Sequence, residues 1–227
     1  MATDDNYIQV FDHALPSDFC KKIIGMFDRE KITNKKSGTV YVEGKSEVTN
    51  LKQSLDFVMC PRSEEDLESF NNKDWNIMME YLMSNATDYQ VKYIERLKGL
   101  GLDEYCKHSE CFIYENILYP RTFSFPQIQK TSVGEKFDWH SDYYSNRLCT
   151  FIYYLNDVEE GGSTEFRNDK VIEAKEGRLV VFPSGWNYIH RGTAVLAGSK
   201  YVVTSFSVYA PKGLSLIHIS EPTRHDQ

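Results

Sequence analysis

Between Phe137 and Phe206 the chain alternates short β-forming runs with turn residues, and a handful of the polar side chains in that stretch stand at spacings that restrict the fold. Leu148-Cys149-Thr150-Phe151-Ile152-Tyr153-Tyr154-Leu155 is a β-branched and aromatic run that reads as a strand, followed by Asn156-Asp157 and a Gly161-Gly162 turn. Arg178 to Phe182 reads as a second strand stopped by Pro183 and Gly185, and Lys200 to Phe206 as a third. In the third, Lys200, Val202, Thr204 and Phe206 share one face, because side chains on a strand alternate. A lysine among apolar neighbours on an inward face needs an anion.

His140-Ser141-Asp142 precedes these strands, and His190 follows the second. On an extended strand, positions two apart point the same way, so His140 and Asp142 are expected to grip one ion together, with His190 arriving from a distant strand. Two imidazoles and one carboxylate on one side of a metal, with the other positions open, suit non-haem Fe(II) oxygen chemistry. A His-x-Asp triplet alone is a weak signal; the surrounding order of strands makes it specific.

That order, His-x-Asp, strand, Tyr-Leu-Asn-Asp, Gly-Gly-x-Thr, Phe-Pro, His, then a lysine ten residues on, resembles the prolyl-4-hydroxylase-like branch of the 2-oxoglutarate- and Fe(II)-dependent dioxygenase superfamily. The likeness is close over residues 127–209 and loose before them. It implies an α+β fold, a double-stranded β-helix (jelly-roll) barrel buttressed by N-terminal helices. It implies His140, Asp142 and His190 as iron ligands and catalytic centre, Lys200 as the partner of the far carboxylate of 2-oxoglutarate, and Tyr154 and Thr204 as further co-substrate contacts. The cofactors implied are Fe(II), with 2-oxoglutarate and O2 as co-substrates and ascorbate as an accessory. The reaction implied is oxidative decarboxylation of 2-oxoglutarate to succinate coupled to C–H hydroxylation, with peptidyl proline as the leading substrate. A free amino acid or small metabolite, or a non-catalytic iron and 2-oxoglutarate binding module, are the alternatives. One departure stands out: Thr131 lies nine residues before His140, where many members carry a tyrosine that touches the co-substrate. Related halogenases lack the carboxylate ligand, so Asp142 favours hydroxylation.

The rest of the chain is read as support. Tyr7–Phe11 reads as a strand, Leu15-Pro16-Ser17-Asp18 as a helix start leading into Phe19, Ile23, Ile24 and Phe27, and Thr39–Val42 as a strand. Ser63-Glu64-Glu65-Asp66 has capping-box form before a long helix with Trp75, Met78, Leu82, Ala86, Tyr89, Tyr93 and Leu97 on one stripe, ended by Gly99 and Gly101. Alternation resumes over Phe112–Tyr119 and Phe123–Lys130. The chain is expected to form one domain over residues 1–213, with helical support over 1–110 and the barrel core over about 111–210. Residues 214–227 look like a translated sequencing adapter and are set aside, with His218 and His225, as a non-native tail.

Composition narrows the partners. A formal charge of −7 repels a phosphate backbone, so nucleic acid is not expected, and the lysine ten residues after His190 departs from the arginine pattern of nucleobase demethylases. Met1-Ala2-Thr3-Asp4-Asp5 lacks the layout of a signal peptide and no apolar run reaches membrane-spanning length, so a cytoplasmic protein without membrane contact is expected. Five cysteines without paired spacing are expected to be free thiols, and Cys106 and Cys111 do not make a zinc knuckle. His13 and His108 are read as ordinary structural or surface residues. Gly161-Gly162 is read as a turn without phosphate-loop context. Trp139, Tyr143, Tyr144, Trp186 and Tyr188 each read first as packing, and as a group suggest an aromatic-lined groove suited to an extended peptide. The oligomeric state is not legible.

Overall fold

The computed structural model describes residues 7–42, 45–59, 73–100, 123–144 and 146–208. The capping-box segment, the Phe112–Tyr119 alternation, Cys106 and Cys111, and the tail lie outside these residues.

β1 (Gln9–Phe11), shorter than expected, leads into α1 (Ser17–Arg29), which starts after Pro16 in extended conformation. A single 3-10 turn at Ile32–Asn34 precedes β2 (Lys36–Ser37), β3 (Thr39–Val42), β4 (Lys45–Val48) and β5 (Leu55–Val58). α2 (Lys73–Gly99) buries Trp75, Met78, Leu82, Ala86, Gln90, Tyr93, Ile94 and Leu97, which is the expected stripe with Gln90 buried where Tyr89 stays half-buried. Then follow β6 (Gln127–Thr131), β7 (Phe137–His140), β8 (Arg147–Tyr154), β9 (Glu160–Gly161) and β10 (Thr164–Phe166). The remaining described strands are β11 (Val171–Ile172), β12 (Leu179–Pro183), β13 (His190–Gly192), β14 (Val195–Ala197) and β15 (Lys200–Val208).

These strands form a seven-stranded sheet in the order β1-β12-β8-β15-β6-β5-β2 and a four-stranded sheet in the order β11-β10-β13-β7, with small pairs β14-β9 and β3-β4. The central strand β8 is buried on both faces along most of its length, which is why its sequence is nearly continuously apolar. Its Phe151 and Tyr153 pack with Leu179, Val181, Tyr201 and Val203 against Ile23 and Phe27 of α1 and Leu82 and Tyr93 of α2. Its alternate residues Ile152 and Tyr154 pack with Val180, Phe182 and Val202 against Phe166 and Ile172 of the smaller sheet. The helices therefore buttress one face, and the space between the two sheets is the barrel interior of the expected double-stranded β-helix.

Polar ties keep the helices in place. Trp75 Nε1 donates to Glu30 Oε2 at 2.9 Å, joining the end of α1 to α2, while Tyr153 Oη donates to Asn85 Oδ1 at 2.9 Å, joining α2 to β8. One connection was not legible beforehand: Leu51–Gln53 hydrogen-bonds along β7 through Gln53 N to Lys136 O and Asp138 N to Leu51 O, before the chain continues as β5 beside β6. This segment closes the barrel at one corner by pairing with both sheets.

Candidate active site

Strand register brings the expected ligands together. β13 pairs antiparallel with β7 so that His190 stands directly opposite His140. Asp142 comes by a different route from the one expected: β7 ends at His140, so the carboxylate is delivered by the chain turning beyond the strand and not by strand alternation. The result is a cluster of His140, Asp142 and His190 whose ligand atoms all lie within 4.8 Å of one another. His140 Nε2 is 3.7 Å from Asp142 Oδ1, and His190 Nε2 is 3.6 Å from Asp142 Oδ2.

Each imidazole is oriented from behind. His140 Nδ1 lies 2.7 Å from the Asp138 carbonyl oxygen and His190 Nδ1 3.0 Å from that of Tyr188. A carbonyl can only accept, so Nδ1 carries the proton in both rings and Nε2 keeps its lone pair for a metal. Phe137 stacks on His140 with ring centroids 3.5 Å apart. Burial first, then His190 beside it, pushes the His140 imidazolium down to about 4, so the ring is neutral. For Asp142, burial by itself would raise the carboxyl, but the neighbouring His190, His140 and Arg147 and the Thr150 hydroxyl outweigh it and hold the group below its ordinary range. Two imidazole nitrogens and one carboxylate fit a divalent cation, and the donor types are those of an Fe(II) site.

Thr150 and Ser184 complete the support of Asp142: Thr150 Oγ1 donates to Asp142 Oδ2 at 2.9 Å and lies 2.9 Å from Ser184 Oγ. Sequence reasoning missed both. Their signal was that of buried polar residues within or next to apolar strands, which must find partners.

Lys200 opens β15 in the same interior, 7% exposed, with Nζ 5.4 Å from the centroid of the Tyr154 ring. No carboxylate pairs with it among the described residues, and burial pushes it down to about 8. Gly192 of β13 is its close neighbour: a Cβ there would be in contact with Lys200 Nζ at 3.7 Å and with Phe137 at 3.8 Å. A buried ammonium with no carboxylate partner among the described residues, beside Gly192 two positions along β13 from His190, fits a ligand with a carboxylate at its far end.

The Tyr-Tyr-Leu-Asn run and the Gly-Gly turn explain how Lys200 is held. Asn156 Nδ2 donates to Ser199 O at 2.8 Å, and Asn156 Oδ1 accepts from Tyr201 N at 2.9 Å. Gly161 has φ +76°, and a Cβ there would collide with the Ala194 carbonyl, so the turn that lays β9 against β14 requires glycine. Tyr154 is fully buried and donates to Thr164 Oγ1 at 2.6 Å. Thr204 is half-buried and accepts from Gln129 Nε2 at 3.1 Å, while Thr131 stands opposite Lys200 across β6 and β15.

The aromatic group divides. Trp186 and Tyr143 are exposed, at 73% and 63%. Trp139, next to His140 on β7, takes the opposite face and lies between the guanidinium groups of Arg167 and Arg191, at 4.8 and 4.6 Å from its ring. Tyr188 packs near Phe182 with centroids 6.5 Å apart. Tyr144 borders Arg147, whose guanidinium lies 3.7 Å from the Phe206 ring and 3.4 Å from the Asp142 carbonyl oxygen.

Comparison with known proteins gives the following similarities. Residues 126–208 match the family described as the 2OG-Fe(II) oxygenase superfamily. A probable prolyl 4-hydroxylase 11 of Arabidopsis thaliana is 41% identical over 51 residues, 22% of this chain and only 18% of that protein's length. In fold, the chain is similar to a viral collagen prolyl hydroxylase of Paramecium Bursaria Chlorella virus-1 solved with 2OG, at TM-score 0.56 and 17% identity over 89% of this chain and 96% of that one. It is also similar to a Trichoplax adhaerens prolyl hydroxylase in complex with a hypoxia inducible factor peptide fragment, at TM-score 0.59 and 15% identity over 90% and 84% of the two chains. A Pseudomonas putida prolyl-4-hydroxylase gives TM-score 0.53 and 14% identity over 90% and 94%.

Proposed function

We propose that this chain, whose residues 126–208 match the 2OG-Fe(II) oxygenase superfamily, is a prolyl-4-hydroxylase-like enzyme that hydroxylates a prolyl residue in a peptide. The observation that carries the reading is the pairing of His140 with His190 across β7 and β13, with Asp142 beside them and a buried lysine without a carboxylate partner in the same interior.

With Fe(II), 2-oxoglutarate and O2 bound, the chemistry supplied would be an oxidative decarboxylation in which one oxygen atom of O2 leaves in succinate, alongside CO2, and the other enters a substrate C–H bond. The protein's own groups do the positioning. His140 and His190 offer Nε2 and Asp142 a carboxylate, so the three residues would hold the iron from one side. Lys200, with Thr204 on the same interior wall, would hold the far carboxylate of 2-oxoglutarate, and Tyr154, whose proton goes to Thr164, would border it. Phe166 and Phe182 pack against His190 and keep that side dry.

The peptide assignment rests on the mouth. Arg147 beside Asp142 is a donor for a peptide carbonyl, Phe206 and Tyr144 flank it, and exposed Tyr143 and Trp186 offer flat surfaces for proline rings. The Trichoplax structure shows that a protein of this fold takes a peptide. The test is incubation with Fe(II), 2-oxoglutarate and proline-rich peptides, followed by mass spectrometry. Gain of a single oxygen on proline is expected; oxidation of a free amino acid or metabolite in its place would move the substrate class and leave the chemistry standing.

A further inference from the structure

Behind Thr204 runs a string of polar side chains that none of the steps above uses. Asp56 of β5, 5% exposed, accepts from Lys52 Nζ on Oδ2 at 2.7 Å and from Ser54 Oγ on Oδ1 at 2.7 Å. The same Oδ2 accepts from Gln127 Nε2 at 3.3 Å. Gln127 Oε1 accepts from Gln129 Nε2 at 3.2 Å, and that nitrogen also donates to Thr204 Oγ1 at 3.1 Å. Strand register lays the string out: Asp56 stands opposite Gln129 across β5 and β6, and Gln127 opposite Thr204 across β6 and β15.

The direction of the string is determined by its anionic end. A carboxylate accepts hydrogen bonds and donates none, so Gln127 must turn its NH2 toward Asp56, which leaves its oxygen for Gln129. Gln129 must then present its own NH2, one hydrogen to Gln127 and one to Thr204. The Thr204 hydroxyl is thereby an acceptor on that side, and no described residue receives its proton. Reversing either amide would set its oxygen against an acceptor, so the polarity does not rest on how the amides are drawn.

We infer that Asp56, Gln127 and Gln129 are positioning residues that set the polarity of Thr204, so that its hydroxyl donates a hydrogen bond to the anionic co-substrate held by Lys200. Lys52 serves the same string by neutralising Asp56. The inference rests on the co-substrate reading above and adds to it a device that lies outside the metal ligands, Lys200 and Tyr154.

The test is the dissociation constant of 2-oxoglutarate, titrated anaerobically into Fe(II)-loaded protein, for wild type, Thr204→Val, Thr204→Ser, Gln129→Met and the double variant Thr204→Val/Gln129→Met. One hydrogen bond to a charged acceptor corresponds to roughly ten- to over a hundred-fold in affinity. Thr204→Val is expected to weaken binding by about that factor, Thr204→Ser to retain it, and Gln129→Met to lose part of it. In the Thr204→Val background Gln129→Met is expected to add nothing, because its effect passes through the missing hydroxyl. Equal losses from Gln129→Met in both backgrounds, or an unchanged affinity in Thr204→Val, would overturn the inference. Absence of 2-oxoglutarate binding in the wild type would instead remove the reading on which it rests.

Discussion

Asn156 grips the backbone on both sides of Lys200. Its amide nitrogen donates to the Ser199 carbonyl and its oxygen accepts from the Tyr201 N–H, so one side chain at the end of β8 sets where the lysine enters the interior. Asn156→Ala would leave a carbonyl and an N–H without these partners. The expected result is a loss of about 1–3 kcal/mol of stability together with a several-fold rise in the 2-oxoglutarate requirement. Chemical denaturation and a 2-oxoglutarate titration measure the two; a stability loss with unchanged co-substrate affinity would mean that Lys200 does not depend on this clamp.

Lys200 itself should show opposite effects with and without ligand. Removal of a charge-assisted hydrogen bond weakens 2-oxoglutarate binding by roughly ten- to over a hundred-fold, while iron affinity should hardly change. In the ligand-free protein the buried ammonium is a cost, so Lys200→Met is expected to leave the melting temperature unchanged or raise it. A large drop in melting temperature would show that the lysine supports the fold itself.

The same lysine gives a pH signature. Its folded value of about 8 lies below the ordinary 10.5, so between these the unfolded chain holds a proton that the folded one has shed. Stability of the ligand-free protein from this group therefore rises with pH across that window. Co-substrate affinity goes the other way: it is greatest below about 8, where the ammonium is charged, and declines above it. Lys200→Met should abolish both trends, and a wild-type affinity that is flat from neutral pH upward would contradict the assignment.

Thr150 makes a parallel prediction at the metal. Its hydroxyl donates to Asp142 Oδ2, and outer partners of this kind are worth about 10–100-fold in metal affinity. Thr150→Val preserves shape and should lower Fe(II) affinity within that range. An unchanged affinity would make the hydroxyl a packing group.

The contrast between Asp142 and Asp56 shows what was legible in the sequence. That His140, Asp142 and His190 come together and that Lys200 is buried was readable because their order among the strands is specific, even though the reason expected for Asp142, alternation along one strand, is not the one the fold uses. Asp56, Lys52 and the corner they occupy were not readable. Thr49 to Asp56 has no apolar period, and its extended form comes from pairing with β7 and then β6, which are distant in sequence. Gln90 is similar: a polar residue 1% exposed on the helical stripe, where periodicity pointed to Tyr89. In each case long-range packing overrides local preference.

The central claim is that His140, Asp142 and His190 hold one ferrous ion that 2-oxoglutarate then joins. Anaerobic equilibrium binding of Fe(II), followed by 2-oxoglutarate, tests it most directly in wild type and in Asp142→Ala. The expected result is one ion per chain in the wild type, 2-oxoglutarate binding that depends on that ion, and loss of both in a folded Asp142→Ala protein. Full iron and 2-oxoglutarate binding by Asp142→Ala would contradict the account.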